Sequence, residues 1–460
     1  MVLNRTDSHV LLCAETNSAA DTLCEELAAV LNPTQMLRLN APTRNQPSPK
    51  VLEYSTWTGG SQKQAVFDVP SLSELKSKRV IVTTASASGF LVALGLGTGH
   101  FSHIFVDESA QMLEPMCLIP LSLAAPTTVI VLCGDEQQIG PRVLSPSATF
   151  HGLHETLMQR LGHHREYAGD MCTSLVHRLH CNYRTNPQIL ELQSRLFYDS
   201  TLQAMGPADR VGSLEDWQML PKPGTPFMFV AVEGENEREC ESPSWFNKAE
   251  AWAIKELVDD LHRAKGIDQS QIAVISDYKL QIAKIRRLLR QRGFGAVDVG
   301  LPDSLQGKQK KVVLLSFVRT SEQALLYDKD ADVGLHLSAK RLNSAMTRCE
   351  ALLVMVGHPE LLSMRELPVT RNLLAVSNEL GCYIEMAELS QKRQAGTEQP
   401  LAAPELPVVG VPTDQVWESQ LGRLILMPRS GCRCSASTCC FVAWANCHAW
   451  LCTARPLQSP

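Results

Sequence analysis

The stretch HIFVDESAQMLEP, residues 103–115, decides the fold, because it runs from an apolar segment straight into two adjacent carboxylates. The four mostly apolar positions His103 to Val106 are typical of a short buried strand, and Asp107 and Glu108 follow where that strand would end. In parallel α/β sheets, reactive side chains lie at the carboxyl ends of the strands. The pair is therefore placed for metal and water chemistry. The alternative is an ordinary helix N-terminus, where carboxylates interact favourably with the helix dipole.

Three further apolar runs end in polar or small-residue turns. Residues 9–14 lead to Glu15-Thr16-Asn17-Ser18 and a helix capped at Asn17 or Ser18, residues 79–84 lead to a turn of small residues, and residues 128–132 lead to Gly134-Asp135-Glu136-Gln137-Gln138. Strands that alternate with helices and deliver polar groups at their carboxyl ends indicate a parallel sheet with a ligand along one edge. We expect Asp107 to hold Mg²⁺ on a nucleotide and Glu108 to orient or deprotonate the attacking water.

The second half of the chain repeats this build. Apolar runs at 227–232, 272–275, 312–318 and 351–356 predict strands, and residues 241–261 and 280–289 predict amphipathic helices. The sequence therefore predicts an α/β protein with a first lobe at 1–165, a second lobe at 166–388, and a Pro- and Cys-rich tail at 389–460. We expect the tail to be disordered, with a zinc site as the alternative.

The composition says more about the cellular location of the protein than about its binding partners. The chain has 460 residues, 44% of them apolar, a formal net charge of −5 and 15 cysteines, many scattered singly through apolar segments. No apolar run comes near the roughly 18 to 20 residues of a membrane helix, so we expect no membrane partner, reduced thiols, and a cytoplasmic location with the nucleus as the alternative. The net charge gives no support for gross attraction to nucleic acid, although a local basic channel can exist on an acidic protein.

The polar strand ends, taken in order, resemble the motif series of the superfamily 1B (Upf1-like) helicases. VDESAQ resembles the Walker B motif, GDEQQIGP resembles GDxxQLxP, and LHCNYRTNPQI resembles the NYR segment. IAVISDYKLQ, PDSLQGKQ and RLNSAMTR resemble three further motifs of the second lobe. Within that superfamily, SPSWFNKAEA and AETNSAAD resemble the RNA-silencing branch, the Armitage and silencing-defective type (Moloney-leukaemia-virus-10-like) RNA helicases.

The resemblance implies two RecA-like P-loop NTPase lobes with ATP and Mg²⁺ bound between them. It implies catalytic roles for Glu108, Gln138, Arg184 and Arg348, and nucleotide contacts for Asp107, Tyr183 and Gln309. The RNA contacts that it implies are Thr16, Asn17, Ser18, Thr83, Thr84 and Lys308. The implied activity is ATP-dependent 5′ to 3′ movement on single-stranded RNA or an RNA duplex, in ribonucleoprotein complexes of gene silencing or RNA decay, with granules as one location.

The chain also departs from the family pattern. The family has a phosphate-binding loop, G-x-x-x-x-G-K followed by Ser or Thr, before the AETNSAAD segment, and neither LGLGTGH (94–100) nor SLQGKQ (304–309) provides it. Gln309 replaces the acid of the QGxE motif, and Ser344 and Met346 interrupt the small apolar pattern of RLNSAMTR. We expect a first lobe truncated at its N-terminus. The alternatives are an ATPase-dead RNA-binding or scaffold protein derived from a helicase, and a DNA-directed superfamily 1 helicase.

Overall fold

The structure is a computed structural model of the chain. It describes residues 2, 8–42, 44, 47–58, 66–164, 167, 175–240, 242–305, 308–396 and 439–443.

The elements of the first half alternate between strands and helices. They are β1 (Val10–Ala14), α1 (Asn17–Leu27), β2 (Met36–Arg38), α2 (Pro49–Glu53), β3 (Trp57–Thr58), β4 (Val66–Phe67), α3 (Leu72–Ser77), β5 (Val80–Thr84), α4 (Gly89–Ala93), β6 (His103–Val106), α5 (Glu114–Leu121), β7 (Val129–Gly134), α6 (Pro146–Phe150), α7 (Leu157–Gly162) and β8 (Val176–Arg178).

The second half continues in the same manner. Its elements are β9 (Cys181–Asn182), α8 (Pro187–Phe197), β10 (Gln203–Ala204), α9 (Ala208–Val211), β11 (Phe227–Ala231), β12 (Asn236–Arg238), β13 (Trp245–Asn247), α10 (Lys248–Arg263), β14 (Ile272–Ser276), α11 (Lys279–Gln291), β15 (Asp298–Gly300), β16 (Lys310–Ser316), α12 (Gln323–Ala331), α13 (Ala339–Met346), β17 (Cys349–Gly357), α14 (Pro359–Leu362), α15 (Pro368–Glu379), β18 (Tyr383–Glu385), α16 (Met386–Gly396) and β19 (Cys439–Ala443). Short 3-10 helices follow β6 (Ser109–Gln111) and precede β14 and β16 (Gln269–Gln271, Asp303–Leu305).

The first large sheet has seven parallel strands in the order β2-β5-β1-β6-β7-β19-β8. The interior strand β1 is buried at every position, because Leu11 and Cys13 pack into one apolar cluster while Val10 and Leu12 pack into another. A parallel sheet covered on both faces needs such continuous apolar runs. The predicted parallel sheet of the first lobe is confirmed.

The second large sheet has six parallel strands in the order β15-β14-β16-β17-β11-β18. It too lies between two apolar clusters, with Val312 and Leu314 of β16 in one and Val313 and Leu315 in the other. The predicted second α/β unit is therefore also confirmed.

The structure corrects some local predictions. The N-cap of α1 is Thr16, whose side chain accepts from the Ala19 amide, rather than Asn17 or Ser18. Residues 351–356 form a strand as predicted, within β17, but a further strand that the sequence did not predict, β18, follows and pairs with β11. Among the described residues, no helix is both long enough and apolar enough to cross a membrane.

Three elements lie beside the predicted boundaries. Strand β8 lies beyond residue 165 and joins the first sheet through β19, and α16 runs across residue 388. The cysteine-rich tail contributes β19, which pairs with β7. Apart from β19, residues 397–460 lie outside the described part of the chain, so the expected disorder of the tail and the alternative zinc site stay predictions.

Candidate active site between the two large sheets

The acidic pair lies directly after β6, at the carboxyl edge of the first sheet. The Asp107 amide donates to the Cys13 carbonyl (2.7 Å), and the Glu108 amide donates to Asp107 Oδ1 (3.0 Å). Glu108 has a left-handed backbone (φ 54°), and its carboxylate accepts from Gln111 Nε2 (2.7 Å). A non-glycine residue in this region is strained, and such strain persists where surrounding contacts determine the conformation. The pair is thus held in one fixed arrangement.

Both carboxyls are half-buried, and this environment changes their acidity. Burial raises the pKa of Asp107 to about 7, and the neighbouring charge of Glu108 adds to the increase. Burial also raises the pKa of Glu108, against the opposing effect of the Arg348 and Arg184 guanidinium groups. A carboxyl with a raised pKa can hold or accept a proton near neutral pH, which suits general acid-base chemistry.

The loop after β7 lies beside this pair. A Cβ at Gly134 would lie 2.7 Å from the Ala110 amide nitrogen, so only glycine allows the two strand ends to approach so closely. Asp135 follows, and its carboxylate accepts from the Gln137 amide (3.0 Å) and from Gln138 Nε2 (2.8 Å). Gln138 is buried, with its amide group fixed by Asp135.

The second sheet contributes Arg348, which meets Gln138. Arg348 Nη2 donates to Gln138 Oε1 (3.0 Å), and Arg348 Nε donates to the Ser344 carbonyl (3.1 Å). Arg348 is 8% exposed and Gln138 is 7% exposed, so the contact is shielded from solvent. Since an arginine stays charged in proteins, it places a positive charge beside the acidic edge of the first sheet.

Two more hydrogen bonds join the loop after β7 to α13. The Ile139 amide donates to Ser344 Oγ (2.8 Å), and Asn343 Nδ2 donates to the Gln137 carbonyl (2.9 Å). Ser344, which departs from the pattern of the resembled family, is therefore a hydrogen-bond partner between the two sheets.

Arg184 and Gln309 lie together on the second-sheet side. Arg184 Nη2 is 3.5 Å from the Thr347 carbonyl. In the orientation that satisfies both neighbours, the Gln309 amide oxygen accepts from Arg184 Nη1 (2.7 Å) and its nitrogen donates to Glu350 Oε1 (3.0 Å). Gln309 thus links the arginine to a carboxylate, although it carries no charge itself. Tyr183 is 48% exposed beside them.

The predicted RNA contacts fall into two groups. Thr16, Asn17 and Ser18 are exposed at the start of α1, where Asn17 Oδ1 accepts from buried Arg38 (3.0 Å). Lys308 is also exposed, with Nζ 3.9 Å from Asp298 Oδ2. These exposed side chains are accessible to a polymer in solution.

The threonines of β5 differ from that group. Thr83 and Thr84 are buried, and their hydroxyls bond to backbone groups of the protein. Thr83 Oγ1 donates to the Leu39 carbonyl (3.1 Å), and Thr84 Oγ1 accepts from the Ala87 amide (3.2 Å). A role in RNA binding for all six predicted contacts stays a prediction.

Sequence reasoning missed two residues of the site, Tyr198 and Asn343. Tyr198 Oη donates to Asp135 (2.7 Å) and accepts from Asn343 Nδ2 (2.7 Å). Asn343 lies inside a motif that the sequence analysis quoted, whereas Tyr198 ends an amphipathic helix without a local signal. Within the described residues, no group of three or more His, Cys, Asp and Glu side chains is arranged to hold a metal. The predicted Mg²⁺ ligand is the single carboxylate of Asp107.

Comparisons with known proteins show what this chain is similar to. Two family models, each described as an AAA domain, match residues 62–146 and 153–360. RNA helicase Mov10l1 of Homo sapiens is 37% identical over 392 residues, which are 82% of this chain and 31% of that protein. Putative helicase mov-10-B.1 of Danio rerio is 36% identical over 388 residues, which are 79% of this chain and 38% of that protein.

Similarity to solved structures is weaker. A complex of an arterivirus nonstructural protein 10 (helicase) with DNA has a TM-score of 0.37 and 15% identity, covering 77% of this chain and 55% of that one.

Fold, site and comparisons together define the class of this chain, a helicase core of two RecA-like α/β lobes. It belongs to the Upf1-like superfamily 1 helicases, in the family of Mov10l1 and MOV-10. It spans about a third of the length of the relatives it matches (31% and 38%).

Proposed function

We propose that this chain is the ATP-hydrolysing core of an RNA helicase that moves 5′ to 3′ on single-stranded RNA. The observation that carries the proposal is the buried contact between Gln138 of the first lobe and Arg348 of the second, beside Asp107 and Glu108. A nucleotide bound there would touch both lobes, so its hydrolysis would change how the lobes close.

The side chains support phosphoryl transfer because that reaction mainly needs correctly placed charge. Glu108, with its raised pKa, would orient the attacking water and accept its proton. Arg348 and Arg184 would stabilise the negative charge on the transferring phosphoryl group, and Gln138 would sense it. Asp107 is an oxygen ligand of the type that Mg²⁺ prefers, and a bound Mg²⁺ would neutralise charge on the nucleotide phosphates.

RNA would lie across both lobes, on the exposed turn Thr16-Asn17-Ser18 and on Lys308. Contacts of this kind go to phosphates and sugars and carry no base code, so binding would be largely independent of sequence. The names of the relatives support RNA as the polymer. We further propose a cytoplasmic role in ribonucleoprotein complexes of gene silencing or RNA decay.

ATP hydrolysis with and without single-stranded RNA tests this proposal, on the 460-residue chain and on one extended by the reading frame upstream of Met1. We expect RNA to stimulate hydrolysis more than single-stranded DNA does. Arg348→Ala should lower the stimulated rate by about 10³-fold or more, because an arginine at the transition state is worth roughly that factor. Arg365→Ala, which removes an exposed arginine of the same lobe, is the control and should leave the rate unchanged.

A second candidate is RNA binding without hydrolysis, as in a scaffold protein. Gln309 favours it, because a neutral amide lies beside Arg184 where the family pattern has an acid. RNA binding with no ATP hydrolysis in either chain would support this candidate. Stronger stimulation by DNA than by RNA would instead favour a DNA-directed helicase.

A further inference from the structure

The hydroxyl of Tyr198 lies between the two lobes and bonds to both. Tyr198 follows α8 of the second lobe, and its Oη donates to Asp135 Oδ2 of the first lobe (2.7 Å). The same oxygen accepts from Asn343 Nδ2 on α13 (2.7 Å). One hydroxyl therefore connects a first-lobe loop to a second-lobe helix.

This connection is part of a closed chain of hydrogen bonds. Asp135 Oδ2 also accepts from Gln138 Nε2 (2.8 Å), and Gln138 Oε1 accepts from Arg348 Nη2 (3.0 Å). Arg348 lies just after α13. The series of hydrogen bonds therefore starts on this helix, at Asn343, and ends next to its C-terminus, at Arg348. We call these five side chains, Asn343, Tyr198, Asp135, Gln138 and Arg348, the inter-lobe ring.

The backbone around Tyr198 fixes its position. Asp199 (φ 50°) and Ser200 (φ 58°) are both left-handed, which ends α8 and turns the chain back. The Tyr198 and Ser200 amides both donate to the Ser194 carbonyl (3.0 Å each). Two successive left-handed residues without glycine are costly, so this turn is a specific feature of the chain.

Electrostatics keeps the hydroxyl proton in place. Burial, with the nearby Asp135 charge as the next cause, raises the pKa of Tyr198 well above its ordinary value. The hydroxyl therefore stays protonated at neutral pH and can donate to Asp135 while it accepts from Asn343.

We propose that Tyr198 is a positioning residue that couples the loop carrying Gln138 to α13 and thereby aligns Gln138 with Arg348. This inference rests on the proposed function for its effect on hydrolysis. Tyr198 acts on the nucleotide site through Asp135 and Gln138, so its loss should affect the rate of the chemical step more than nucleotide binding.

Tyr198→Phe tests the proposal, because it removes the hydroxyl and keeps the ring. We expect kcat for RNA-stimulated ATP hydrolysis to fall about 5- to 30-fold with KM for ATP within about twofold, which is the signature of lost transition-state alignment. The matched control is Tyr383→Phe, whose hydroxyl bonds Glu385 (2.6 Å) on β18, and both constants should stay within about twofold. An unchanged kcat, or a raised KM alone, would overturn the proposal.

Amide hydrogen exchange gives a second readout that needs no hydrolysis. In the nucleotide-free chain, Tyr198→Phe should speed exchange of the Gln137 and Ile139 amides at least about threefold, while Tyr383→Phe should not. If wild-type chain hydrolyses no ATP, the proposed function fails and this measurement alone decides the coupling. Asn343→Ala removes the other bond to the hydroxyl and also the bond to the Gln137 carbonyl, so it should speed exchange at least as much. Exchange equal to wild type in both variants would refute the coupling.

Discussion

Glu108 and Val318 occupy equivalent places in the two lobes and serve them differently. Glu108 lies two residues after β6 and Val318 lies two residues after β16, and both have left-handed backbones (φ 54° and 71°) without being glycine. For L-residues this conformation costs roughly 1–2 kcal/mol, and for a β-branched residue such as Val318 it is a clear outlier. Each lobe therefore stores backbone strain at the carboxyl end of a central strand.

The difference lies in the position of the carboxylate. In the first lobe the strained residue itself carries it, and the charges of Arg348 and Arg184 of the second lobe act on it. In the second lobe the side chain of Val318 is buried, and the carboxylate comes from Glu250, which accepts from the Val318 amide (2.9 and 3.0 Å) and from Ser316 Oγ (2.6 Å). A residue with positive φ two positions after the strand thus carries the carboxylate in one lobe and is held by a carboxylate in the other.

The largest effect should come from removing the charge of the first-lobe carboxylate. Glu108→Gln should lower RNA-stimulated ATP turnover by about 10²- to 10⁴-fold, since the general base is lost. The free energy of unfolding should not decrease, because a half-buried carboxyl with a raised pKa disappears. Steady-state hydrolysis and urea unfolding measure the two quantities. Glu114→Gln, on the more exposed pair with Arg160, is the control. Loss of stability together with activity would argue that Glu108 is structural like Glu250.

The second-lobe carboxylate should matter mainly for stability. Glu250→Ala leaves the buried Val318 amide and Ser316 hydroxyl without their acceptor, and each such group costs about 1–3 kcal/mol. We expect the free energy of unfolding to fall by about 2–4 kcal/mol, measured by urea denaturation. Glu379→Ala at an exposed position should change it by no more than about 0.5 kcal/mol. A similar small change for Glu250→Ala would show that water replaces the carboxylate.

The pH dependence of stability should carry the signature of Glu250. Burial raises the pKa of Glu250 to about 8 from an ordinary value of 4.5. The folded state therefore binds more protons than the unfolded state between these values, so this contribution is full below pH 4.5 and is lost as pH rises to about 8. The slope is at most about 1.4 kcal/mol per pH unit.

Glu250→Gln should remove that slope, because the amide keeps an acceptor oxygen and does not titrate. Unfolding midpoints at pH 5.5 and pH 8 should differ less in this variant than in wild type. Glu379→Gln should retain the wild-type difference. An equal difference in all three proteins would assign the pH dependence to other groups, of which Asp107 is one.

The smallest effect should come from a left-handed residue that no carboxylate holds. Ser200 is exposed at φ 58°, so Ser200→Gly relieves strain of roughly 1–2 kcal/mol and adds an entropic cost of about 0.5–1 kcal/mol. We expect stabilisation of up to about 1 kcal/mol in thermal unfolding. Ser363→Gly, at a right-handed position (φ −87°), should destabilise. If both variants destabilise the protein, the left-handed backbone of Ser200 does not strain the folded state.

The sequence predicted the central strands well and the edge strands poorly. Strands β1, β6 and β16 are continuous apolar runs because both faces of each sheet are covered. Strands β2 and β18 have three residues each, too few to show a periodic pattern. Their positions depend on pairing with neighbours that are distant along the chain.

The residues of the candidate site also differ in how far the sequence could predict them. Asp107, Glu108, Gln138 and Arg348 were predicted from motif order, because each follows a strand or helix with a recognisable pattern, and the structure brings Gln138 and Arg348 into contact. The partners across the cleft could not be predicted, since Tyr198 meets Asp135 only through the arrangement of two lobes. Ser344 was read as an interruption of a motif, yet its hydroxyl accepts from the Ile139 amide. A departure from a family pattern can thus be a contact in space.

The outer strands of the two large sheets share a feature with a consequence for solubility. Within the described residues, the outer strands β2, β8, β15 and β18 each have three residues. The interior strands of the same two sheets are all longer. A short edge offers few unpaired N–H and C=O groups to another chain, and edge-to-edge pairing is the usual route to β aggregation. The parallel sheets can therefore remain apolar throughout their interior while exposing little backbone on which a second molecule could add a strand.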